Sequence, residues 1–537
     1  MEKTLIFDYV IIGAGSAGCV LANRLSADPN TSVCLLEAGA KDNSTFIHTP
    51  AGTVTMMRGT PLMGGKYNWQ FHTTPQAGLN GRRGYQPRGK TLGGSSSINA
   101  MIYIRGHQSD YDDWEKLGNP GWGFSDVLPY FKRSEHNERI QNELHGQNGE
   151  LNVSDSFSNN PVHELFIEAG IEQGHVQNDD FNGHTQEGVG RYQMTQINGS
   201  RCSTAVAFLK PVSERPNLTV LTDARACKIL MQGKRATGVE LRHKNTTLQI
   251  DANKEVLLAA GAFQSPQLLM LSGIGAVDNL QPHGIELVHE LPGVGANLVD
   301  HPDYTSVHKS ANKQTIGISA SGTLDVLKAM NQYRKDRTGL LSSNYAESGG
   351  FLKTDPDLAR PDIQLHFVAG IVDDHGRKLH LGHGISCHSC VLRPKSRGSV
   401  TLASSDPMAD PVIDLNFLGE EDDLNVLLKG YKITREILHS KALHGTTGKE
   451  VYTKGSMSDD ELAYWMRQRA DTVYHPVSSC RMGNSDMDVV DAKLRVHGVE
   501  NLRVVDASIM PTLIGGNTNA PSIMIAEKAA DMILSHQ

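Results

Sequence analysis

Asp8-Tyr9-Val10-Ile11-Ile12-Gly13-Ala14-Gly15-Ser16-Ala17-Gly18 is the stretch that decides the fold. An apolar run ends in three glycines at G-x-G-x-x-G spacing. Cys19 to Leu25 follows, with Val20, Leu21 and Leu25 at helical spacing, and Asp28-Pro29-Asn30 breaks that helix. Val33-Cys34-Leu35-Leu36 reads as a second buried strand and ends in Glu37-Ala38-Gly39. This is one complete βαβ unit. Its chemistry is that of an anion cradle. A pyrophosphate lies against backbone N–H groups at a helix N-terminus, where the helix dipole favours negative charge. Gly13 permits the tight turn, Gly15 lets phosphates approach, and Gly18 lets helix and strand pack. Glu37, at a strand end, can accept both ribose hydroxyls. A lone glycine motif is weak, but in this context it predicts dinucleotide binding. The loop does not separate NAD from FAD; Glu37 argues against a 2′-phosphate and hence against NADP.

The rest of the chain must be organised around this unit. At 537 residues it exceeds one ordinary domain. Hydrophobic residues are 39% and charged residues 20%, a globular balance. The 53 glycines exceed the usual share of about 7%, which suggests tight turns and close backbone approach to a ligand. A net charge of −8 with no Lys/Arg run argues against nucleic-acid binding. No run of about 18 apolar residues occurs, so no transmembrane helix is predicted. The residues before Asp8 are too few for a secretory leader. The seven scattered cysteines fit reduced thiols in a cytoplasmic setting. Peripheral attachment to the inner face of a membrane stays open.

Residues 155–199 are polar and rich in Asn and Gly. Residues 218–260 read as strands. Between 304 and 471, strand candidates (Asp362 to Val368, Val400 to Leu402) alternate with helical stretches (Asp422 to Leu438, Asp459 to Ala470). Asn501 to Val505 is a late strand and Ile523 to Leu534 a closing helix. Dinucleotide signals at both ends predict that a second domain is inserted into the first.

Three further segments invite a chemical reading. Arg88-Gly89-Lys90-Thr91-Leu92-Gly93-Gly94-Ser95-Ser96-Ser97-Ile98-Asn99-Ala100-Met101 suggests a backbone-rich loop opening a helix, able to hold an anion or a ring edge; a linker or a plain helix cap reads equally well. Cys387-His388-Ser389-Cys390 contains one C-x-x-C. Without a second pair that is a weak zinc signal, and alternation along a strand accounts for it better, so no metal is expected. Thr53 to Gly65, with Met56, Met57 and Met63, is loop-like and apolar. A substrate lid, a membrane-touching patch and simple packing all fit it.

Taken with Gly261-Ala262-Phe263-Gln264-Ser265-Pro266 through Ser272-Gly273-Ile274-Gly275, with Tyr474-His475-Pro476, with Val504-Val505-Asp506-Ala507-Ser508 and with Gly516-Asn517-Thr518-Asn519-Ala520, the two glycine loops resemble those of the glucose-methanol-choline (GMC) oxidoreductases over essentially the whole chain. The nearest branch is that of bacterial dehydrogenases acting on primary alcohols, polyethylene glycol, sorbose and choline. The resemblance implies an α/β fold: a Rossmann-like FAD-binding domain (1–154, 200–303 and 472–537) with an inserted substrate domain (155–199 and 304–471) built on an antiparallel sheet with helices. It implies FAD, held by Gly13, Gly15, Gly18, Glu37 and Ala38 at the ADP half. Gly93, Gly94, Asn99 and Met101 would lie along the pyrophosphate and flavin, Ala226 near the adenine, Asp506 and Ala507 near the pyrophosphate and ribityl chain, and Asn519 beside the pyrimidine edge. Covalent members carry His where this chain has Ile98, so FAD is expected to be non-covalent.

His475 is then the expected base for oxidation of a primary alcohol to an aldehyde, with hydride passing to flavin N5. Asn517 matches a position that is His or Asn in the family. An amide cannot take up a proton, so it should orient the substrate oxygen. Glu347, in Glu347-Ser348-Gly349-Gly350-Phe351, matches a glutamate that faces the trimethylammonium group in choline-acting relatives, and is carried forward as a substrate residue. A quaternary ammonium also needs an aromatic cage, and none can be read in a chain with 6% aromatics. The expected partners are a small alcohol and a quinone-like acceptor. The rival readings are a choline or sugar dehydrogenase, an O₂-using alcohol or hydroxymethylfurfural oxidase, and a flavin-binding protein without turnover.

Overall fold

Val10, Ile11, Val33, Cys34 and Leu35 have no exposed side chain, which is why their strands read as unbroken apolar runs rather than alternating ones. In a computed structural model of the chain, which describes residues 5–60, 64–244 and 246–535, they form the middle of a seven-stranded sheet. Leu218–Leu221, Val33–Leu36, Leu5–Ile12 and Thr246–Leu258 lie side by side and parallel. Leu502–Val504 joins Thr246–Leu258 in parallel, while Arg235–His243 and Ala224–Gln232 extend it antiparallel. The helix Ser16–Leu25 packs against the closing helix Asn519–Leu534, and both are almost wholly buried. Each Val, Ile or Leu so buried stabilises the fold by about 1.5–3 kcal/mol.

The register sets the position of the site. Ile12 pairs with Leu36 on one side and with Leu258 on the other, and Leu258 pairs with Val504. The carboxyl ends of the parallel strands therefore finish level, and chain from the beginning, middle and end of the sequence turns outward at one edge. Crevices outside such strand ends are where open α/β sheets bind ligands.

The second seven-stranded sheet is antiparallel along its path, in the order Asp471–Thr472, Pro302–Ser310, Gly382–Val391, Ile363–Val368, Ser348–Leu352, Gly188–Arg191. The expected seams at 303/304 and 471/472 fall inside its strands. Strand alternation divides its residues between two faces. Leu365, Phe367 and Cys387 pack with Phe166 and Ile167 of the helix Val162–Glu172 and with Ile437 and Leu438 of the helix Glu421–Leu438. Their neighbours His366, Val368 and His388 face the other way, into a cavity. The same alternation separates the two thiols of the C-x-x-C segment: Cys387 belongs to the helix-backed cluster and Cys390 to the cluster of Tyr192 and Phe351.

Candidate active site

One elongated cavity of about 310 Å³ runs from the strand ends of the first sheet to the free face of the second. Gly13, Gly15, Glu37, Ala38, Gly94, Asn99, Met101, Ala226, Asp506, Ala507, Asn519, His475 and Asn517 all line it. Gly18 does not. A Cβ there would lie 1.8 Å from the Gly13 carbonyl oxygen, so this glycine serves helix–strand packing. Gly93 also stays outside, at φ +84°, and holds the turn that brings Gly94 against Gly15.

The first half of the cavity fits an extended dinucleotide. A Cβ on Gly15 would meet nothing within 4 Å, whereas one on Gly13 would lie 2.4 Å from Ala259 O; the loop is open on one side and pressed against the sheet on the other. Glu37 is 6% exposed; its Oε2 accepts from Ala14 N–H (3.1 Å) and its Oε1 from Gly39 N–H (2.7 Å). Burial pushes this carboxyl up to about 7, against the backbone donors that pull it down. Trp69 and Arg225 line the cavity close to Ala226, and Lys90 and Arg225 stand over the Trp69 ring at 4.3 and 4.9 Å. The serine-rich segment does not open a helix. Gly94–Ser97 is a single 3₁₀ turn, and the chain leaves it with Met101 at φ +61°. Asn99 Oδ1 instead accepts from Met101 N–H (3.0 Å) and from the buried Arg201 (2.8 Å), which fixes the loop from beneath.

Asp506 and Asn519 touch the cavity but spend their side chains on bracing it. Asp506 accepts from Gly261 N–H (2.8 Å), Ser265 Oγ (2.5 Å) and Ser508 N–H (2.8 Å). Asn519 Oδ1 accepts from Ser16 Oγ (2.7 Å), tying the last helix to the first. Ile98 is buried and apolar and lines the cavity, with no group there to form a bond to a ligand. Thr53–Arg58 is a short helix, not a loop. Thr53, Val54 and Met57 form cavity wall and Met56 is buried beneath, while residues 61–63, Met63 included, lie outside the described residues.

At the far end the ring of His475, 6% exposed, is held on both nitrogens. Asn517 Nδ2 lies 3.1 Å from Nε2, and His301 Nδ1 lies 3.0 Å from Nδ1. Gln364 Nε2 donates to Asn517 Oδ1 at 3.0 Å, so the amide's orientation is set. Burial, with His301, His366 and Arg88 adding to it, holds His475 well below the ordinary imidazole value. The ring is therefore neutral at pH 7 and able to accept a proton. Arg88 donates to the carbonyl of Tyr474 (2.8 Å), whose φ of +78° is a strained value for a bulky residue.

Sequence reasoning missed His301, Gln364, Arg88, His366 and His388. His301-Pro302 repeats the dipeptide His475-Pro476, which was the available signal. His366 lines the cavity with both ring nitrogens buried and unpartnered among the described residues, and burial pulls it down to about 3. His388 Nδ1 lies 2.6 Å from Asp303 Oδ2; burial pulls it down, but Asp303 prevails and raises it.

Glu347 does not line the cavity. Its neighbours Asn344, Tyr345 and Ala346 line the cavity, but its own carboxylate turns away. It is fully buried against Ser343 Oγ and lies 3.2 Å from the Arg191 guanidinium. The strand pairing of Ser348 with Arg191 brings that cation alongside, so the charge has a partner inside the domain. Among the described residues one group could offer ligands to an ion, His308, His439 and Glu450, but Arg435 already donates to the same Glu450 oxygen at 3.0 Å.

Comparison with known proteins agrees with this architecture. Family models described as GMC oxidoreductase match residues 7–303 and 394–526. The chain is 49% identical over 533 residues to an alcohol dehydrogenase [acceptor] of Pseudomonas putida, spanning 98% of this chain and 96% of the relative. It is 43% identical over 534 residues to an oxygen-dependent choline dehydrogenase of Escherichia coli (strain K12 / DH10B), spanning 98% and 95%. Its fold matches the crystal structure of pyridoxine 4-oxidase from Mesorbium loti with a TM-score of 0.89 at 30% identity, covering 99% of this chain and all of that one. With both family segments present and full-length relatives at this identity, the chain belongs to the GMC oxidoreductase family.

Proposed function

We propose that this chain binds FAD non-covalently and oxidises primary alcohols to aldehydes, passing electrons to a quinone-like acceptor. The observation that carries the reading is the pair at the end of the cavity, a neutral buried His475 whose Nε2 meets the Asn517 amide at 3.1 Å. FAD would be held by the glycine loop, Glu37 and the Gly94–Met101 segment, and supplies a hydride acceptor. The chain's own part is to orient the alcohol and take its proton. An alcohol oxygen placed between Nε2 and Asn517 Nδ2 gives its proton to Nε2 while the amide N–H holds the oxygen, which leaves the carbon free to lose hydride. The apolar walls, Val368, Val372 and Ala346 among them, exclude water.

Neutral alcohols are preferred over choline in this reading. Glu347 faces away from the cavity, toward Arg191, so its carboxylate is not offered to a cationic substrate. The 49% identity to a dehydrogenase named for an acceptor supports acceptors other than O₂. Peripheral membrane contact is part of the proposal too. Among the described residues no helix is long and apolar enough to cross a membrane. The helix Ala320–Asp336 nevertheless exposes Leu324, Val326, Leu327 and Met330, and Ile318 and Leu381, bridged to each other, are exposed beside its start. Anaerobic mixing with alcohols tests the reaction directly: the bound yellow flavin should bleach, and acid precipitation should then release it into solution. Flavin retained on the denatured chain contradicts the non-covalent assignment.

A further inference from the structure

His301 does not itself line the cavity; it stands behind His475. Its ring is fully buried and crosses that of His475 at 83°. We propose that His301 is the positioning residue that locks His475 in the tautomer with its proton on Nδ1 and a bare Nε2 facing the alcohol. This rests on His475 being the base, as proposed above, and adds what makes it one.

The assignment follows from counting protons. His301 Nε2 lies 3.1 Å from two carbonyl oxygens, those of Leu392 and Ile514. Carbonyls only accept, so that nitrogen carries hydrogen. A neutral imidazole has one N–H. Burial, with Arg393 adding to it, holds His301 down at about 3, so the ring is neutral and its Nδ1 is bare. The 3.0 Å contact between the two Nδ1 atoms then needs its single proton on His475. His475 Nε2 is left without one. Asn517 reaches the same conclusion from the other side. Gln364 occupies the Asn517 carbonyl, so the amide turns its N–H toward Nε2, which must accept.

One carboxylate aligns both rings. Asp300 Oδ1 accepts the backbone N–H of His301 and that of His475, each at 2.8 Å, and Oδ2 accepts from Thr472 Oγ1. The two backbones are thus clamped to one group although the residues come from distant parts of the sequence. In the reaction the alcohol O–H bond breaks and its proton joins Nε2. The electron pair stays on oxygen and forms the carbonyl, and the carbon would lose its hydrogen as hydride, for which FAD held by the glycine loop and the Gly94–Met101 segment would be the two-electron acceptor. His475 becomes a cation with both nitrogens protonated and keeps its Nδ1–H on His301. An acceptor held on the far nitrogen is a known way to keep a basic imidazole in its productive tautomer.

The test is rapid mixing of FAD-loaded variants with alcohol. His301→Leu removes the acceptor and should slow flavin reduction at least about 10-fold with FAD content unchanged and alcohol affinity within about threefold. His301→Gln offers an amide oxygen in place of Nδ1 and should restore most of the rate. In a His475→Ala background, His301→Leu should cost nothing more, because it acts through His475. Unchanged reduction in His301→Leu, equal losses in the Leu and Gln variants, or the same factor lost in both backgrounds would each overturn the proposal. If His475→Ala itself reduces at the normal rate, the base assignment fails instead. Should His301→Leu not accumulate as holoprotein, the ¹⁵N spectrum of histidine-labelled holoprotein decides, with His475 assigned by its loss in His475→Ala. A bare Nε2 supports the proposal, and a protonated one contradicts it.

Discussion

Asn517 Nδ2 and His475 Nε2 are 3.1 Å apart, and the Asn517 carbonyl is already taken by Gln364. The amide can therefore serve only as a donor toward the ring and toward any oxygen beside it. Asn517→Ala should cost one such hydrogen bond in kcat/KM, about 1–3 kcal/mol or roughly 5- to 150-fold. Gln364→Ala should cost less, since it acts only by orienting the amide. Steady-state kinetics with one alcohol checks both, and a Gln364 loss larger than that of Asn517 would contradict this division of roles.

Glu347→Gln separates a structural carboxylate from a substrate-facing one. With Glu347 turned to Arg191 and Ser343, kcat/KM for choline and for a neutral primary alcohol should change by the same factor. A selective loss of choline turnover would place the carboxylate in the cavity after all.

The glycine loop, Glu37 and the His475 segment were legible because each is a local pattern with a physical purpose. A pyrophosphate cradle needs glycines at fixed spacing, and the strand on either side announces itself as an apolar run. The seven-stranded sheet was largely readable for the same reason: Val33–Leu36 and Leu218–Leu221 fall where the apolar runs lie. His301 was not legible, because its meaning depends on a partner far along the chain and brought close by Asp300. The direction of the Glu347 side chain was not legible for a related reason. Its direction is set by a cross-strand cation from Arg191, which no local pattern reveals. The serine loop misled because Ser95, Ser96 and Ser97 resemble a helix cap, while the close approach of Gly94 to Gly15 leaves room for one 3₁₀ turn only.

Acid should destabilise the fold above the pH range in which ordinary carboxylates titrate. His163 and His308 are held at about 4 and His301 and His366 at about 3, each chiefly by burial, and His475 lies well below its ordinary value of 6.5. With folded values below the unfolded one, the unfolded chain binds these protons first, so their contribution is present above pH 6.5 and lost as pH falls toward 4. Glu37 and Asp300, raised to about 7 by burial, act in the opposite sense but are fewer; His145 and His388, raised by carboxylate partners despite burial, contribute a stabilisation already complete below pH 6.5. The urea midpoint should therefore drop steadily from pH 6.5 to 4.5. A flat or rising midpoint would contradict the buried neutral state of these rings.

The exposed apolar side of the helix Ala320–Asp336 predicts binding to lipid vesicles. Leu324→Asp with Leu327→Asp should abolish co-sedimentation while leaving anaerobic flavin reduction unchanged, since neither residue lines the cavity. Equal sedimentation of the parent and the double variant would remove this surface from the account.

The central claim is that His475 takes the proton of the alcohol. Its most direct measurement is the rate of flavin reduction on rapid anaerobic mixing of FAD-loaded His475→Ala with a primary alcohol. The buried neutral ring and its two fixed hydrogen bonds predict a loss of about 10²-fold or more, with the flavin still bound and the fold intact. Reduction at close to the parent rate would contradict the account.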